Sequence, residues 1–226
     1  LRTRPMASAS GPNRLSKITD EMVSTLEAVL ARHPDHPGAC HYYIHVVEAS
    51  PKPERALACA ERLPGLMPGA GHLVHMPAHI YLRLGKYHEA AEGNAHAVHV
   101  DKEYLAGRAL SGDYADGYFT HNLHFLWASL MMEGRLAESL KIARELTGTI
   151  TEAEARKEKW KEFYLPSPLF SMIRFGRWDD LLHEPPFGLL RLVVGGRRGH
   201  VDRLVDDPLK LLKGQRPVVE RAGEAE

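Results

Sequence analysis

Two pairs of histidines in this sequence have the four-residue spacing that metal-binding helices use. His41 and His45 form the first pair, and His75 and His79 form the second. Imidazole is the commonest metal-binding side chain, and two residues four apart lie on one face of a helix, where both can bind one ion. The segments "HYYIH" and "HMPAH" share this spacing with the zinc-protease motif, but a tyrosine or a methionine stands near the place of its catalytic glutamate. The pairs therefore predict metal binding without a peptidase base.

The other candidate ligands concentrate in the same part of the chain. Ten of the 14 histidines lie between residues 41 and 124. We predict that the metal ligands are His41, His45, Glu48, His72, His75, His79, His121 and His124. Nitrogen donors with a carboxylate suit Zn²⁺, Cu²⁺ or non-haem Fe²⁺, so zinc, copper and iron are all candidates. Eight side chains are more than one tetrahedral ion needs, and two ions could be held.

Four further side chains are candidates for supporting the metal or contacting its substrate. Asp113 and Asp116 shortly precede His121 and could orient ligand histidines, or they could form a polar loop that caps the next helix. Tyr118 could supply a hydroxyl group. Arg83 could bind a carboxylate substrate, or it could pair with a glutamate.

A repeat of the sequence sets the positions of these side chains. Residues 40–69 align with residues 74–103, so that the two histidine pairs coincide. The offset matches the period of the tetratricopeptide repeat (TPR), a helix-turn-helix unit. The predicted units cover residues 37–70, 71–104, 120–153 and, more weakly, 162–186, and the helix of a partial repeat begins at residue 15. The sequence therefore predicts an all-α fold, a right-handed superhelical solenoid of TPR-like helix pairs over residues 15–186.

Each repeat unit is expected to turn at a glycine and to pack through its second helix. The predicted turn glycines are Gly85, Gly134 and Gly176, and the close-packed positions of the second unit are Ala90, Asn94 and Ala97. We expect the three tryptophans, Trp127, Trp160 and Trp178, to be core residues. Cys40 and Cys59 are also expected to be small core residues.

In a TPR solenoid the first helix of each unit lines a concave groove. All seven predicted histidine ligands fall on these first helices. Neighbouring helices pack about 8–10 Å apart, so side chains from two of them can meet at one ion. His88, His96 and His99 fall on a second helix and are expected to face solvent or a neighbouring repeat.

Composition argues against several classes of partner. Lys+Arg and Asp+Glu are equal at 29 each, whereas nucleic-acid and anionic-membrane binding need a basic surface. No apolar run approaches the roughly 20 residues of a membrane span. The two cysteines form no disulfide framework, which favours a reducing compartment, and we expect a cytoplasmic protein.

The two ends of the chain lack the repeat pattern. Residues 1–14 are predicted to be a flexible N-terminal segment, and residues 187–226 a poorly defined tail. The opening "LRTRPMASAS" has no initiating methionine, which suggests a fragment of a longer chain or a processed start. The terminal repeats of a short array need a polar cap, and neither end here clearly has one. Such ends could pack on a second copy of the chain, so a homo-oligomer is an open alternative.

Three segments carry a resemblance to a known family. The strings "HPGACHYYIHVVEAS", "AGHLVHMPAHIYLRLGKY" and "YFTHNLHFL" resemble blocks of a family of bacterial TPR proteins with near-fixed "HPGA-H-YIH--E", "GHL-HMP-HI--R-G-Y" and "HN-HF" patterns. The resemblance covers about residues 20–186. It implies a repeat fold and carries over the histidine-rich blocks, which include His36, but it implies no particular activity.

Three functions are compatible with these features. The leading hypothesis is a transition-metal site in the histidine-lined groove, with an open position that would allow hydrolytic or oxidative chemistry on a small molecule. The alternative is a scaffold without catalysis that binds a protein or peptide in the groove. The third is a purely structural histidine cluster. Whether the protein is an enzyme stays open.

Overall fold

The computed structural model of the protein describes residues 14–107, 112 and 114–184. The regular elements in these ranges are all helical and include no β-strand, which confirms the predicted all-α class. The chain divides into two compact units, one ending at Thr149 and the other beginning at Ile150. The predicted flexible segment and the predicted tail lie outside the described residues, except for Arg14, where the first helix begins.

The first unit is built from helices that pack mainly on their neighbours along the chain. Its α-helices are α1 Arg14–Arg32, α2 Pro37–Glu48, α3 Leu57–Leu66, α4 Gly71–His75, α5 Pro77–Arg83, α6 Tyr87–Leu105, α7 Thr120–Glu133 and α8 Leu136–Gly148. A 3-10 turn over Pro53–Ala56 leads into α3, and a π-helical segment over Tyr114–Phe119 leads into α7. Helix α2 packs on α1, α3 and α5, while α6 packs on α4, α5 and α7. Three of the predicted units therefore contain the expected pairs of helical segments.

The predicted turn glycines end the first helix of their units. Gly85 and Gly134 both have left-handed φ angles, of 73° and 86°. The amide after each glycine donates to a carbonyl five residues back, from Lys86 to Tyr81 and from Arg135 to Leu130. This arrangement closes a helix C-terminus, and a side chain at the glycine position would be strained. The turn chemistry thus ends these helices where the repeat pattern predicted.

Helix α2 presents two adjacent faces with different roles. Cys40, Tyr43, Ile44 and Val47 follow the three- and four-residue spacing of a buried helical face and pack against α3 and α5. Cys40 and Cys59 are both free and buried in this core, as expected. The residues one position further along the chain lie about 100° around the helix, so packing of the apolar face fixes the direction of the neighbouring polar one.

A proline separates α4 from α5. Pro77 begins α5 and cannot donate the backbone hydrogen bond that would continue α4. Met76 between the two helices keeps right-handed helical angles, with φ −51° and ψ −35°. The chain therefore runs on in nearly the same direction, and His75 and His79 stay one turn apart on either side of the break.

The second unit contains three short α-helices and a 3-10 segment among its described residues. They are α9 Glu152–Lys157, the 3-10 segment Lys159–Tyr164, α10 Ser167–Arg174 and α11 Trp178–His183. Thr151 and Glu154 form a reciprocal capping box at the start of α9, and Ile150, Ala155 and Leu165 form a small core. Helices α10 and α11, which pack together, meet at Gly176, the turn predicted for the fourth unit.

The expectation that all three tryptophans are core residues is wrong for two of them. Trp127 is 6% exposed, but Trp160 is 49% and Trp178 is 55% exposed. Trp160 lies in the 3-10 segment, and Trp178 is the first residue of α11. Large size alone therefore did not place these rings in the core, in keeping with the rarity of fully buried tryptophans.

None of the helices in the described ranges combines the length and the apolar character needed to cross a membrane.

Candidate metal centre

Six histidine side chains from four helices of the first unit meet in one cluster. Helix α2 contributes His41 and His45, and Glu48 follows on the same face. The α4–α5 segment contributes His72, His75 and His79, while α7 contributes His121. The contact between α2 and α5 and the contacts of α6 with α4, α5 and α7 bring these faces together. Seven of the eight predicted ligands are therefore in one place.

Three half-buried histidines form what we call the outer triad: His41, His45 and His72. One ring nitrogen of each lies within 4.8 Å of the others. The Nε2 atoms of His41 and His72 are 3.0 Å apart, and the Nδ1 atom of His72 is buried without a hydrogen-bond partner. Two nitrogens on a tetrahedral zinc ion are about 3.3 Å apart, given Zn–N bonds of about 2.0–2.1 Å. The outer triad therefore has spacing close to that of metal ligands.

Three more histidines form the inner triad: His75, His79 and His121. Their nearest ring nitrogens also lie within 4.8 Å of one another. The Nε2 atoms of His75 and His79 are 2.9 Å apart. His75 is fully buried and His79 is 8% exposed, so this set lies deeper than the outer triad. The structure thus contains two distinct three-histidine groups that could each hold a metal ion.

Glu48 lies between the two triads and hydrogen-bonds to one member of each. One carboxylate oxygen is 3.4 Å from Nδ1 of His45, and the other accepts a short hydrogen bond from Nδ1 of His79. A carboxylate on Nδ1 fixes the ring orientation and leaves Nε2 free for a metal. The same carboxylate also forms a third possible ligand group with His45 and His79. Glu48 is therefore placed either to bind a metal or to orient two ligands.

Asn94 on α6 fixes the proton position on His75. Nδ1 of His75 is 2.7 Å from Oδ1 of Asn94, and the amide nitrogen of Asn94 donates to the carbonyl of Ala90 at 2.7 Å. Reversing the amide would place its oxygen against that carbonyl, so the amide oxygen must face His75. His75 therefore donates from Nδ1, and its Nε2 carries a lone pair.

Aromatic side chains enclose the two triads. The ring of Phe125 lies 4.5–4.7 Å from the rings of His75, His79 and His121, measured between centroids. Tyr118 lies over His72 of the outer triad at 4.5 Å and is 45% exposed. The inner triad therefore has an apolar wall, whereas the outer triad has a partly exposed tyrosine at its edge.

Burial keeps most of these imidazoles uncharged at neutral pH. Desolvation, with a smaller contribution from neighbouring histidines, lowers the pKa of His72 to about 3 and that of His121 to about 4. Desolvation also holds the pKa of the His75 imidazole well below its usual value. Burial raises the pKa of Glu48, but hydrogen bonds from His45 and His79 outweigh it and bring the pKa to about 2. Neutral imidazoles and an ionised carboxylate are the forms that bind metals.

The remaining predicted residues belong to none of the three ligand groups or lie outside the described ranges. His124, one turn after His121, is stacked on Trp127 at 5.1 Å and belongs to none of the three ligand groups. Burial lowers the pKa of His124 to about 4. Arg83 is exposed and donates to the backbone carbonyl of Ser50 at 3.3 Å. Asp116 accepts a hydrogen bond at its backbone carbonyl from the Thr120 hydroxyl, and Asp113 lies outside the described residues.

Three histidines on α6 lie apart from the cluster, as expected. His96 and His99 are exposed, and His88 forms an ion pair with Glu133 of α7 at 2.7 Å. His36 has a structural role, because its side chain accepts a hydrogen bond from the amide of Ala39 and caps α2. The N-terminal block of the resemblance thus contains a helix cap as well as candidate ligands.

Two residues that contact the candidate ligands had not been predicted. Asn94 was assigned to a close-packed position, and Phe125 was not singled out. An asparagine among the alanines of a packing face was the available signal, because a buried amide needs hydrogen-bond partners. Phe125 follows His121 by four residues, which places both on one face of α7.

A cluster of this kind can bind divalent metal ions that favour nitrogen. Three histidines with a fourth position open to water are the arrangement of several catalytic zinc sites, and imidazole also suits copper and iron. No protein-family model, curated protein or solved structure matches the chain.

Proposed function

We propose that the protein is a metalloprotein that binds a transition-metal ion in its histidine cluster, on a TPR-like right-handed solenoid. The helix pairs at the predicted bounds and the glycine turns support the solenoid. Neutral imidazoles, oriented by a carboxylate and an amide, support the metal site. Zinc, copper and iron are the metals whose chemistry fits this set of donors.

The contact between Nε2 of His75 and Nε2 of His79 is the observation that carries the proposal. His75 donates from Nδ1 to Asn94, and His79 donates from Nδ1 to Glu48. In neutral rings both Nε2 atoms then carry lone pairs, and these face each other at 2.9 Å. Two lone pairs at this distance repel, so the pair requires a cation between or beside them.

A proton is the rival to a metal ion at this position. It would reside on His79, paired with the Glu48 carboxylate, and would donate to Nε2 of His75. A proton, however, can bridge only one pair of nitrogens. His121 adds a third nitrogen within 4.8 Å of those of His75 and His79, and the outer triad is a second group of three nitrogens nearby. A metal ion accommodates all three nitrogens of a triad at once, which a single proton cannot do.

The peptide-binding alternative has weaker support. His75 is fully buried and His79 nearly so, and their nitrogens are directed at each other and at Asn94 or Glu48. Such side chains are not available to a peptide lying over the surface. An accessible metal ion would instead bind water or a small molecule and polarise it, which would make the protein a metal-dependent enzyme.

Elemental analysis of protein purified without a histidine tag tests the proposal. The wild-type protein should contain at least one equivalent of zinc, copper or iron, and a His75→Ala/His79→Ala variant should contain about one equivalent less. A His96→Ala/His99→Ala variant is the matched control, because it removes two exposed histidines outside the cluster. A folded wild-type protein that holds no metal, and takes up none when Zn²⁺, Cu²⁺ or Fe²⁺ is supplied at neutral pH, would rule the proposal out.

A further inference from the structure

The six histidines of the cluster divide into two sets that share no member. The outer triad is drawn from α2 and α4, and the inner triad from the α4–α5 segment and α7. Within each triad the nitrogens lie within 4.8 Å of one another. Donors bound to one ion at about 2.0–2.1 Å lie within about 4.2 Å of one another, and no ligand group among the described residues contains both triads, so one ion could not use both sets in full.

The two triads are nonetheless direct neighbours. The rings of His45 and His79 are 5.1 Å apart between centroids, and those of His72 and His75 are 5.8 Å apart. Each of these contacts joins one member of the outer triad to one member of the inner triad. Ions bound in the two sets would therefore lie side by side.

Building on the proposed function, we propose that this is a two-metal centre, with one ion in the inner triad and a second, more exchangeable ion in the outer triad. The difference in exchange follows from burial. Two inner histidines are buried, whereas all three outer histidines are half-buried and Tyr118 beside them is exposed. The outer ion is thus the one that water or a small molecule can reach, and it is the one suited to chemistry on a substrate.

Glu48 is the positioning residue that couples the two ions. Its two oxygens hold His45 of the outer triad and His79 of the inner triad through their Nδ1 atoms. Binding an ion in one triad fixes the carboxylate, and the fixed carboxylate orients a ligand of the other triad. Such a coupling is reciprocal, so each ion should strengthen the binding of the other.

Metal stoichiometry distinguishes this inference from the proposed function. The apo-protein is titrated with Zn²⁺, and bound metal is counted for the wild type, for His41→Ala/His72→Ala and for the His96→Ala/His99→Ala control. We expect two ions per chain in the wild type and control, and one in the outer-triad variant. No bound ion in the wild type would overturn the proposed function as well. One ion in the wild type would overturn only the two-metal centre.

Two measurements on the wild-type chain avoid dependence on variants that could misfold. With Cu²⁺ as the probe, neighbouring ions should give the electron paramagnetic resonance signal of a magnetically coupled pair, whereas isolated ions would contradict the inference. A chelator should remove the two ions in a fast and a slow phase. A single phase would contradict unequal burial of the two sites.

A Glu48→Gln variant tests the coupling. The amide of glutamine can accept a hydrogen bond from only one of the two Nδ1–H groups. It presents its NH₂ group to the second Nδ1–H, so one histidine loses its orientation. Zn²⁺ binding to both triads should weaken, and the Co²⁺ absorption spectra of both sites should change. A purely structural role would lower thermal stability and leave both spectra as they are in the wild type.

Discussion

The Nε2 atoms of His75 and His79 face each other at 2.9 Å while both Nδ1 atoms are hydrogen-bonded to oxygen. The two rings sit on either side of the α4–α5 break, where Pro77 interrupts the hydrogen bonds but not the direction of the helix. Their i, i+4 spacing turns both rings to one side, and Asn94 and Glu48 approach from different helices to fix the protons. The contact therefore depends on tertiary packing as much as on the sequence pattern.

Replacing Asn94 should weaken metal binding more than it weakens the fold. In Asn94→Leu the His75 ring can move its proton to Nε2 and donate to His79, which satisfies the pair without a metal. Removing an orienting partner of this kind typically lowers metal affinity about 10–100-fold. We expect Zn²⁺ affinity to fall by that order, measured by competition with a chromogenic chelator.

Asn94→Asp is the comparison for that variant: it keeps an oxygen facing His75, and its stability should fall because a second carboxylate oxygen replaces the amide nitrogen that donates to the carbonyl of Ala90. Its Zn²⁺ affinity should stay close to that of the wild type. Equal affinities for the leucine and wild-type proteins would show that Asn94 does not orient a ligand.

A methyl group added at Gly71 should displace the helix that carries His72 and His75. A Cβ atom there would lie 1.8 Å from a carboxylate oxygen of Asp101 and 3.1 Å from the backbone oxygen of Ala97. Asp101 cannot move freely, since it accepts hydrogen bonds at 2.7 Å from Tyr114 and from Asn122. Overpacking of this kind costs about 1–3 kcal/mol or more. Gly71→Ala should therefore lower the urea unfolding midpoint and reduce bound metal.

Gly93→Ala provides the comparison for Gly71→Ala. Gly93 lies within α6, and a Cβ atom there would meet nothing within 4 Å. Alanine is favoured over glycine inside a helix by about 0.5–1 kcal/mol. This variant should match or exceed the wild type in stability and retain its metal. If both variants behave alike, the close approach at Gly71 has no role in placing α4.

The repeat pattern predicted the helices and most of the side chains that cluster, because both depend on local spacing. The turn glycines fixed the helix ends, and the first helices of the predicted units brought together seven of the eight predicted side chains. His124 shows where spacing was insufficient. It follows His121 by three residues, as His75 follows His72, yet its ring stacks on Trp127. Packing between helices decided its position, and a single sequence does not contain that information.

The roles of Glu48 and Asn94 also could not be derived from spacing. Glu48 has the position of a ligand on α2, but its carboxylate is turned between two rings of different helices. Asn94 reaches His75 across a helix interface 19 residues away in the chain. Hydrogen bonds of this kind depend on the relative rotation of packed helices, which the repeat period fixes only approximately.

Truncating Tyr118 should speed the loss of metal from the outer triad. Its ring covers His72 at 4.5 Å and is 45% exposed, so it shields one edge of the outer triad from solvent. In Tyr118→Ala the fast phase of metal removal by a chelator should become several-fold faster, while the slow phase is unchanged. Tyr118→Phe keeps the ring and should behave as the wild type does. If the alanine variant lost metal in the fast phase no faster than the phenylalanine variant, shielding by the ring would be contradicted.

The metal-free protein should lose stability as the pH falls from 7 towards 5. The pKa of the His75 imidazole lies well below its usual value, and those of His121 and His124 are lowered to about 4, in each case chiefly by burial. In the unfolded chain these groups titrate near 6.5. Below that pH the unfolded state binds protons that the folded state does not, so the free energy of unfolding decreases until the folded pKa values are reached.

The size of this effect depends on burial. A fully buried histidine such as His75 contributes up to about 1.4 kcal/mol per pH unit, and half-buried histidines contribute less because solvent screens them. Glu48, with its pKa lowered to about 2, contributes only as the pH falls below about 4.5, so it does not affect this window. Urea unfolding at pH 7, 6 and 5 should show a steep fall in the midpoint. His96→Ala/His99→Ala should follow the wild type, because its histidines are exposed, whereas a flat profile would mean that the cluster is protonated in the folded protein.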